Sequence, residues 1–143
     1  MKTLIKSALL LLLVMSLTGC GDDVSSISSD DLVERNGLYY KKFSEVPFSG
    51  KVTGKDNGSI KNGKKEGDWI GYYSDGQLMY KGNYKNGKQE GEWVTYFWST
   101  GQLMRKGNYK NGKREGAWVD YEKDGTLDRE RSGTFKNGVK ISR

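Results

Sequence analysis

The sequence predicts an all-β protein, an elongated single-layer antiparallel meander of β-hairpin repeats, and three observations carry that expectation. The first is a phrase that returns almost unchanged. It reads Lys61-Asn62-Gly63-Lys64-Lys65-Glu66-Gly67-Asp68-Trp69, then Lys85-Asn86-Gly87-Lys88-Gln89-Glu90-Gly91-Glu92-Trp93, then Lys110-Asn111-Gly112-Lys113-Arg114-Glu115-Gly116-Ala117-Trp118, and closes as Lys136-Asn137-Gly138-Val139. Its asparagines are 24, 25 and 26 residues apart, a period typical of stacked supersecondary units. The second is that each unit holds two aromatic, β-favouring runs, each followed by a turn signal: Asp75-Gly76 and Asn86-Gly87 in the unit opened by Trp69. Both dipeptides suit the paired positive φ angles of a type I′ hairpin turn. The third is that residues 37–143 show no helical period and the chain has one proline, which leaves nothing to lay over the sheet as a second layer.

Residues 1–19 read as an export signal. Lys2 and Lys6 precede an apolar run from Ala8 to Leu17, too short for the roughly 18 to 20 residues that span a bilayer. Leu17-Thr18-Gly19-Cys20 follows, and it resembles the bacterial lipobox, in which the cysteine thiol receives diacylglycerol. Cys20 is the chain's single cysteine, so lipidation leaves no thiol for a disulfide, a nucleophile or a metal. Two or three acyl chains hold a protein to a membrane without a spanning segment. The expected location is the cell envelope, with the outer membrane favoured in a two-membrane bacterium because Gly21, not aspartate, follows the cysteine.

Residues 20–36 read as an acidic, serine-rich tether, with Asp22, Asp23, Asp30, Asp31 and Glu34 against Arg35 alone. Residues 37–143 form the module, with 21 basic and 13 acidic residues. Its cap is 37–52, an atypical hairpin containing Leu38-Tyr39-Tyr40 and Val46-Pro47-Phe48. A shortened unit follows at about 53–68, where Gly58-Ser59-Ile60-Lys61-Asn62-Gly63 matches Gly82-Asn83-Tyr84-Lys85-Asn86-Gly87. The full units are 69–92, 93–117 and 118–143, the second gaining a residue before its first turn and the third gaining two between Leu127 and Gly133. These amount to eight or nine strands. Leu78, Tyr80, Gly82 and Tyr84 share one parity, as do Leu103, Gly107 and Tyr109, and define an apolar face. Glycine recurring in mid-strand at 82, 107 and 133 predicts that a neighbouring ring covers the bare backbone, with Trp69, Trp93 and Trp118 the candidates.

The residues favour binding over catalysis. Histidine is absent, and Glu66, Glu90 and Glu115 recur once per unit, which suits an ion pair with a lysine of the same turn better than a catalytic acid needed once. Asp56-Asn57-Gly58 and Asp124-Gly125 resemble calcium-loop fragments without the remaining ligands, and turn chemistry accounts for both. No catalytic residue, metal site or cofactor is expected apart from the lipid on Cys20. Nucleic acid is not expected as a partner of an exported chain, and no particular binding residue is singled out.

The pattern Tyr-x-x-Gly-x-Leu followed by Gly-x-Tyr-Lys-Asn-Gly-Lys-x-Glu-Gly-x-Trp resembles the bacterial variant of the MORN repeat, found in the YwqK family of antitoxins, over about residues 37–143. The resemblance implies a sheet of hairpins that serves as a scaffold or binding surface. Two functions follow as expectations. The first is a membrane-anchored, antitoxin- or immunity-like protein that binds a toxin-like protein in the envelope. The alternative is a structural envelope scaffold that binds anionic polymers or lipid headgroups.

Overall fold

The computed structural model describes residues 26–142; the expected export signal, Cys20 and the start of the expected tether lie outside the described residues. Twelve strands run in order: β1 (Ser26–Ser28), β2 (Leu32–Arg35), β3 (Leu38–Lys41), β4 (Gly50–Thr53), β5 (Asp56–Lys61), β6 (Lys64–Tyr72), β7 (Leu78–Lys85), β8 (Lys88–Tyr96), β9 (Leu103–Lys110), β10 (Lys113–Asp120), β11 (Gly133–Lys136) and β12 (Val139–Ser142). Ten of them form one open sheet in the order β1-β4-β5-β6-β7-β8-β9-β10-β11-β12, while β2 and β3 pair separately. From β4 onward every pairing joins neighbours in sequence and is antiparallel; β1 alone is parallel, with Ile27 beside Val52. The all-β meander of hairpins is therefore the architecture of the described chain.

The fold begins earlier than composition suggests. Residues 26–35 are strand or a short 3-10 turn, and Asn36-Gly37, at φ 52° and 75°, is the turn of the β2–β3 hairpin. A boundary at 37 divides that turn. The cause is the few apolar residues of the acidic stretch: Ile27 and Leu32 pack, with Tyr39, against the buried cluster of Phe48, Val52, Ile60 and Trp69. Burying them offsets the entropy of ordering their backbone. The β2–β3 pair also partly covers the first strands, so the sheet is not bare along its whole length.

The Asn-Gly turns have the expected type I′ signature, with φ near 50° at Asn62, Asn86, Asn111 and Asn137 and 76° to 85° at the following glycines. The Asp-Gly turns do not. In Tyr73 to Gln77 only Gly76 has positive φ; Gly76 N donates to Tyr73 O (3.0 Å) and Tyr73 N to Gln77 O (2.8 Å). That is a type I turn followed by a left-handed residue, held by Asp75 Oδ1, which accepts from Gln77 N at 3.0 Å. Glu122 to Thr126 repeats it, and the extra residue of the middle unit lengthens the loop so that Gly101 N reaches Phe97 O at 2.8 Å. The two residues gained after Leu127 interrupt the ladder instead of leaving it intact. Leu127 keeps an isolated bridge to Tyr121, and Asp128 to Ser132 form a separate turn before β11 starts. Asp-Arg-Glu-Arg at 128–131 has no apolar side chain with which to continue a half-buried strand.

Mid-strand glycine lies under tryptophan, one strand ahead of it. A Cβ on Gly58, Gly82 or Gly107 would overlap the indole of Trp69, Trp93 or Trp118 respectively. The three tryptophans are 1%, 5% and 2% exposed, so they belong to the core. Gly133 departs from this series: a Cβ there would strike Ser142 O and Lys140, with no ring over it. The abbreviated last phrase supplies no tryptophan to cover it, and Gly58 takes the third place.

Each Asn-Gly turn is held by the unit before it. Asn86 N donates to Glu66 Oε2 (2.8 Å) and Gly87 N to Lys65 O (2.9 Å). Asn111 N and Gly112 N likewise use Glu90 and Gln89 O, and Asn137 N and Gly138 N use Glu115 and Arg114 O. At the cap, Asn62 N donates to Ser49 Oγ (2.7 Å) and Gly63 N to Phe48 O (2.8 Å), so Phe48-Ser49 imitates the Lys65-Glu66 pair of a repeat. No ion pair among the described residues uses Glu66, Glu90 or Glu115, which corrects the expectation of a lysine partner.

Two stability series test this packing. Trp93→Ala should cost about 3 to 5 kcal/mol in urea denaturation, and Gly107→Val should also lower stability although valine favours strands; a melting midpoint at or above the parent's would remove the glycine's packing role. Glu90→Ala should cost about 0.5 to 1.5 kcal/mol by removing the hydrogen bond to the Asn111 N–H, and Glu90→Gln should recover most of it. Equal losses in Ala and Gln would mean that charge, not the hydrogen bond, holds the turn.

Candidate functional site

The glycine-covering tryptophans and the tyrosines between them form a continuous aromatic file along one face. Trp69 meets Tyr84 edge-to-face at 5.9 Å, Tyr84 meets Trp93 at 5.3 Å, Trp93 meets Tyr109 at 6.0 Å and Tyr109 meets Trp118 at 4.8 Å. Tyr80 stacks on Trp93 at 5.2 Å and covers Gly71 in the cross-strand position. Trp93 Nε1 donates to Asn83 O (3.1 Å) and Trp118 Nε1 to Asn108 O (2.9 Å), which fixes both indoles against the strand they cover. Trp69 Nε1 has no hydrogen-bond partner among the described residues.

Above this file lies a groove of about 310 Å³ whose walls include Met79, Tyr80, Trp93, Met104, Arg105 and Tyr109. Arg105 shares the face of Gly107 and Tyr109, an unexpected cation on the apolar face; bulges at Met79 and Met104 break the expected parity with Leu78 and Leu103, so the methionines and not the leucines line the groove. Asp120, only 1% exposed, accounts for it: its carboxylate lies 3.0 Å from Arg105 Nε and 3.6 Å from Arg114 Nη1. Arg114 in turn sits over the rings of Trp118 (4.3 Å) and Phe135 (5.1 Å). One buried acid thus pairs by charge with two guanidiniums, without an aligned hydrogen bond from Arg105 Nε, and Arg105 brings a charged head to the groove.

Lys65 plays the corresponding part at the other end, with its ammonium over Trp69 (4.1 Å), Tyr84 (5.1 Å) and Tyr39 (5.5 Å). Burial there lowers its pKa from the ordinary value, opposed by the charges of Asp56 and Glu34. Burial also raises the phenols. Tyr80 is raised by desolvation and next by its hydrogen bond to Asp56, Tyr39 by desolvation and next by its hydrogen bond to Glu34, and Tyr84 by desolvation and the charge of Asp56. Asp56 is thus a strand residue that accepts from Tyr80, not a turn residue; Asp124 does cap its turn, accepting from Thr126 N (2.9 Å) and Oγ1 (2.7 Å).

Asn62, Asn86, Asn111 and Asn137 are turn residues at one edge, Trp69, Trp93 and Trp118 floor the file, Gly82 and Gly107 lie beneath it, and Gly133 lies outside it. Cys20 lies outside the described residues. Sequence reasoning missed Arg105, Asp120 and Arg114, whose signal was a basic residue at an apolar parity position. It also missed the Glu-Gly dipeptide, in which Gly67, Gly91 and Gly116, at φ near 70°, make the bulge that sets each tryptophan over its glycine.

The raised phenols give a pH dependence. In the unfolded chain these tyrosines titrate near pH 10, while in the fold they stay protonated above it, so the native state binds more protons there and stability falls as pH rises past about 10. Lys65, with a lowered pKa, works in the opposite direction but is one group against three. Melting midpoints should be level below about pH 9 and fall above it, and Tyr80→Phe should flatten the fall; a level profile in the parent to pH 11 would contradict the assignment.

The MORN repeat variant matches residues 65–86 and 89–111, the two hairpin units at the centre of the aromatic file. No curated protein matches the chain. The flanking Gly58–Trp69 and Gly107–Trp118 pairs extend the same packing to either side. Residues 65–86 and 89–111 are therefore repeats of the MORN variant type.

Proposed function

We propose that the protein is a non-catalytic binding protein held in the cell envelope by a lipid on Cys20, and that it binds a toxin-like protein in the manner of an antitoxin or immunity protein. The observation that carries this reading is the groove over the aromatic file. Methionine, tyrosine, tryptophan and arginine are the residue types enriched at protein interfaces, and here they converge on one recess. Met79 and Met104 supply pliable apolar contact, whereas Arg105, paired by charge with Asp120, supplies a charged head. The net positive charge of the module favours an acidic partner.

The test is co-expression with any toxin-like gene adjacent to this one, the toxin being exported to the periplasm. The wild-type chain should protect cells and co-purify with the toxin. Met79→Glu/Met104→Glu should lose both properties while keeping the parent's β-sheet circular dichroism, and Cys20→Ser should leave the membrane fraction and fail to incorporate labelled palmitate. Killing that is equal with and without the protein, with nothing co-purifying, would remove the immunity reading.

A further inference from the structure

The Asn-Gly edge of the sheet carries a second feature, separate from the groove. In three successive Asn-Gly hairpins the two residues that flank the turn are lysines placed directly opposite each other: Lys61 with Lys64, Lys85 with Lys88, Lys110 with Lys113. Lys136 continues the row beside Val139. All are exposed, and none enters an ion pair among the described residues, where the only paired lysines are Lys42 and Lys106.

Like charges facing across a ladder are destabilising, and a lysine–glutamate rung would have gained a favourable cross-strand pair. Solubility and protection of a turn need charge of either sign, so they do not explain why all three of these rungs are Lys–Lys. The glutamates that could neutralise the rungs are turned instead to the backbone of the next turn, where Glu66, Glu90 and Glu115 accept from Asn86, Asn111 and Asn137. The stems are ordered too. Lys64, Lys88 and Lys113 lay their Cβ and Cγ atoms beside Gly87, Gly112 and Gly138 of the following turn, within reach of a van der Waals contact from a Cβ there. Successive rungs are two strands apart, about 9.6 Å at the usual strand spacing. The result is a file of cation pairs repeated at three successive Asn-Gly turns, without an ion-pair partner among the described residues.

We propose that this edge is a binding site for a linear phosphate polymer, whose regularly spaced anions run across successive lysine rungs. The file is one-dimensional, so it suits an extended chain better than a compact anion or a flat anionic surface. This site lies apart from the groove and does not depend on the protein-partner reading; either can fail alone.

The experiment uses the module from Ser26 onward within the full mature chain and measures anisotropy of labelled linear inorganic polyphosphate against salt concentration. The parent should bind, with log K falling linearly with log salt. Lys85→Glu/Lys110→Glu should bind about tenfold or more weakly, with the salt slope reduced by more than about 1.4, the contribution of two contacts to a single-stranded polyanion. Because each change creates a Glu–Lys rung, the variant should melt at or above the parent's temperature; should it melt lower, Lys85→Gln/Lys110→Gln provides the same binding test. Lys81→Glu/Lys123→Glu, with the same charge change away from the edge, should leave affinity within about twofold. Pyrophosphate or vesicles of anionic lipid binding as tightly as the polymer, equal weakening by the Lys81/Lys123 variant, or an unchanged slope in the edge variants would overturn the proposal.

Discussion

The structure depends on tryptophan lying flat over glycine across a pair of strands. A single open sheet has no opposing layer into which large side chains can interdigitate, so its apolar groups must be buried along the sheet's own surface. Removing the Cβ at 58, 82 and 107 opens a place for an indole, and the next strand supplies one at 69, 93 and 118. Each indole then meets a tyrosine from a neighbouring strand, and the contacts join into a file that crosses the repeat boundaries. Burial of this kind is local in sequence, which is how the described residues, with no α-helix among them, stabilise a sheet that is uncovered over most of its area.

The register that makes the pairing possible comes from two backbone devices in each unit. Glycine at φ near 70° in the Glu-Gly dipeptide inserts a bulge on one side of the strand, and that shift brings the tryptophan over the glycine. The glutamate beside it then holds the next Asn-Gly turn, so each unit fixes the position of its successor. The cap enters the same scheme from outside it: Phe48 and Ser49 give the first turn the two acceptors that a preceding repeat would have given.

Much of this was legible in the residues, because the repeat exposes what must be constant. The hairpins, the type I′ Asn-Gly turns and the tryptophan–glycine relation follow from spacing and parity. What was not legible depended on partners distant in sequence. Glu66 reads as a lysine partner until its Asn86 neighbour across the sheet is known, and Arg105 reads as an exposed cation until Asp120 is placed beneath it. Gly133 copies the landmark without its ring, and this was legible: Trp118 is the last tryptophan of the sequence and it covers Gly107. The acidic stretch before residue 37 was misread because average composition hides Ile27 and Leu32, two side chains with a specific core to join.

The two long edges of the units have different chemistries, lysine rungs at the Asn-Gly turns and asparate- and threonine-capped loops at the others, with the aromatic groove between them. All of these surfaces are positioned by the same tryptophan–glycine register. That register is tested most directly by the proton chemical shifts of the glycine Hα atoms. An indole lying over a glycine moves its Hα resonances strongly upfield through the ring current, so Gly58, Gly82 and Gly107 should be displaced far from ordinary strand values while Gly133 keeps them. Ordinary shifts at all four glycines would contradict the account.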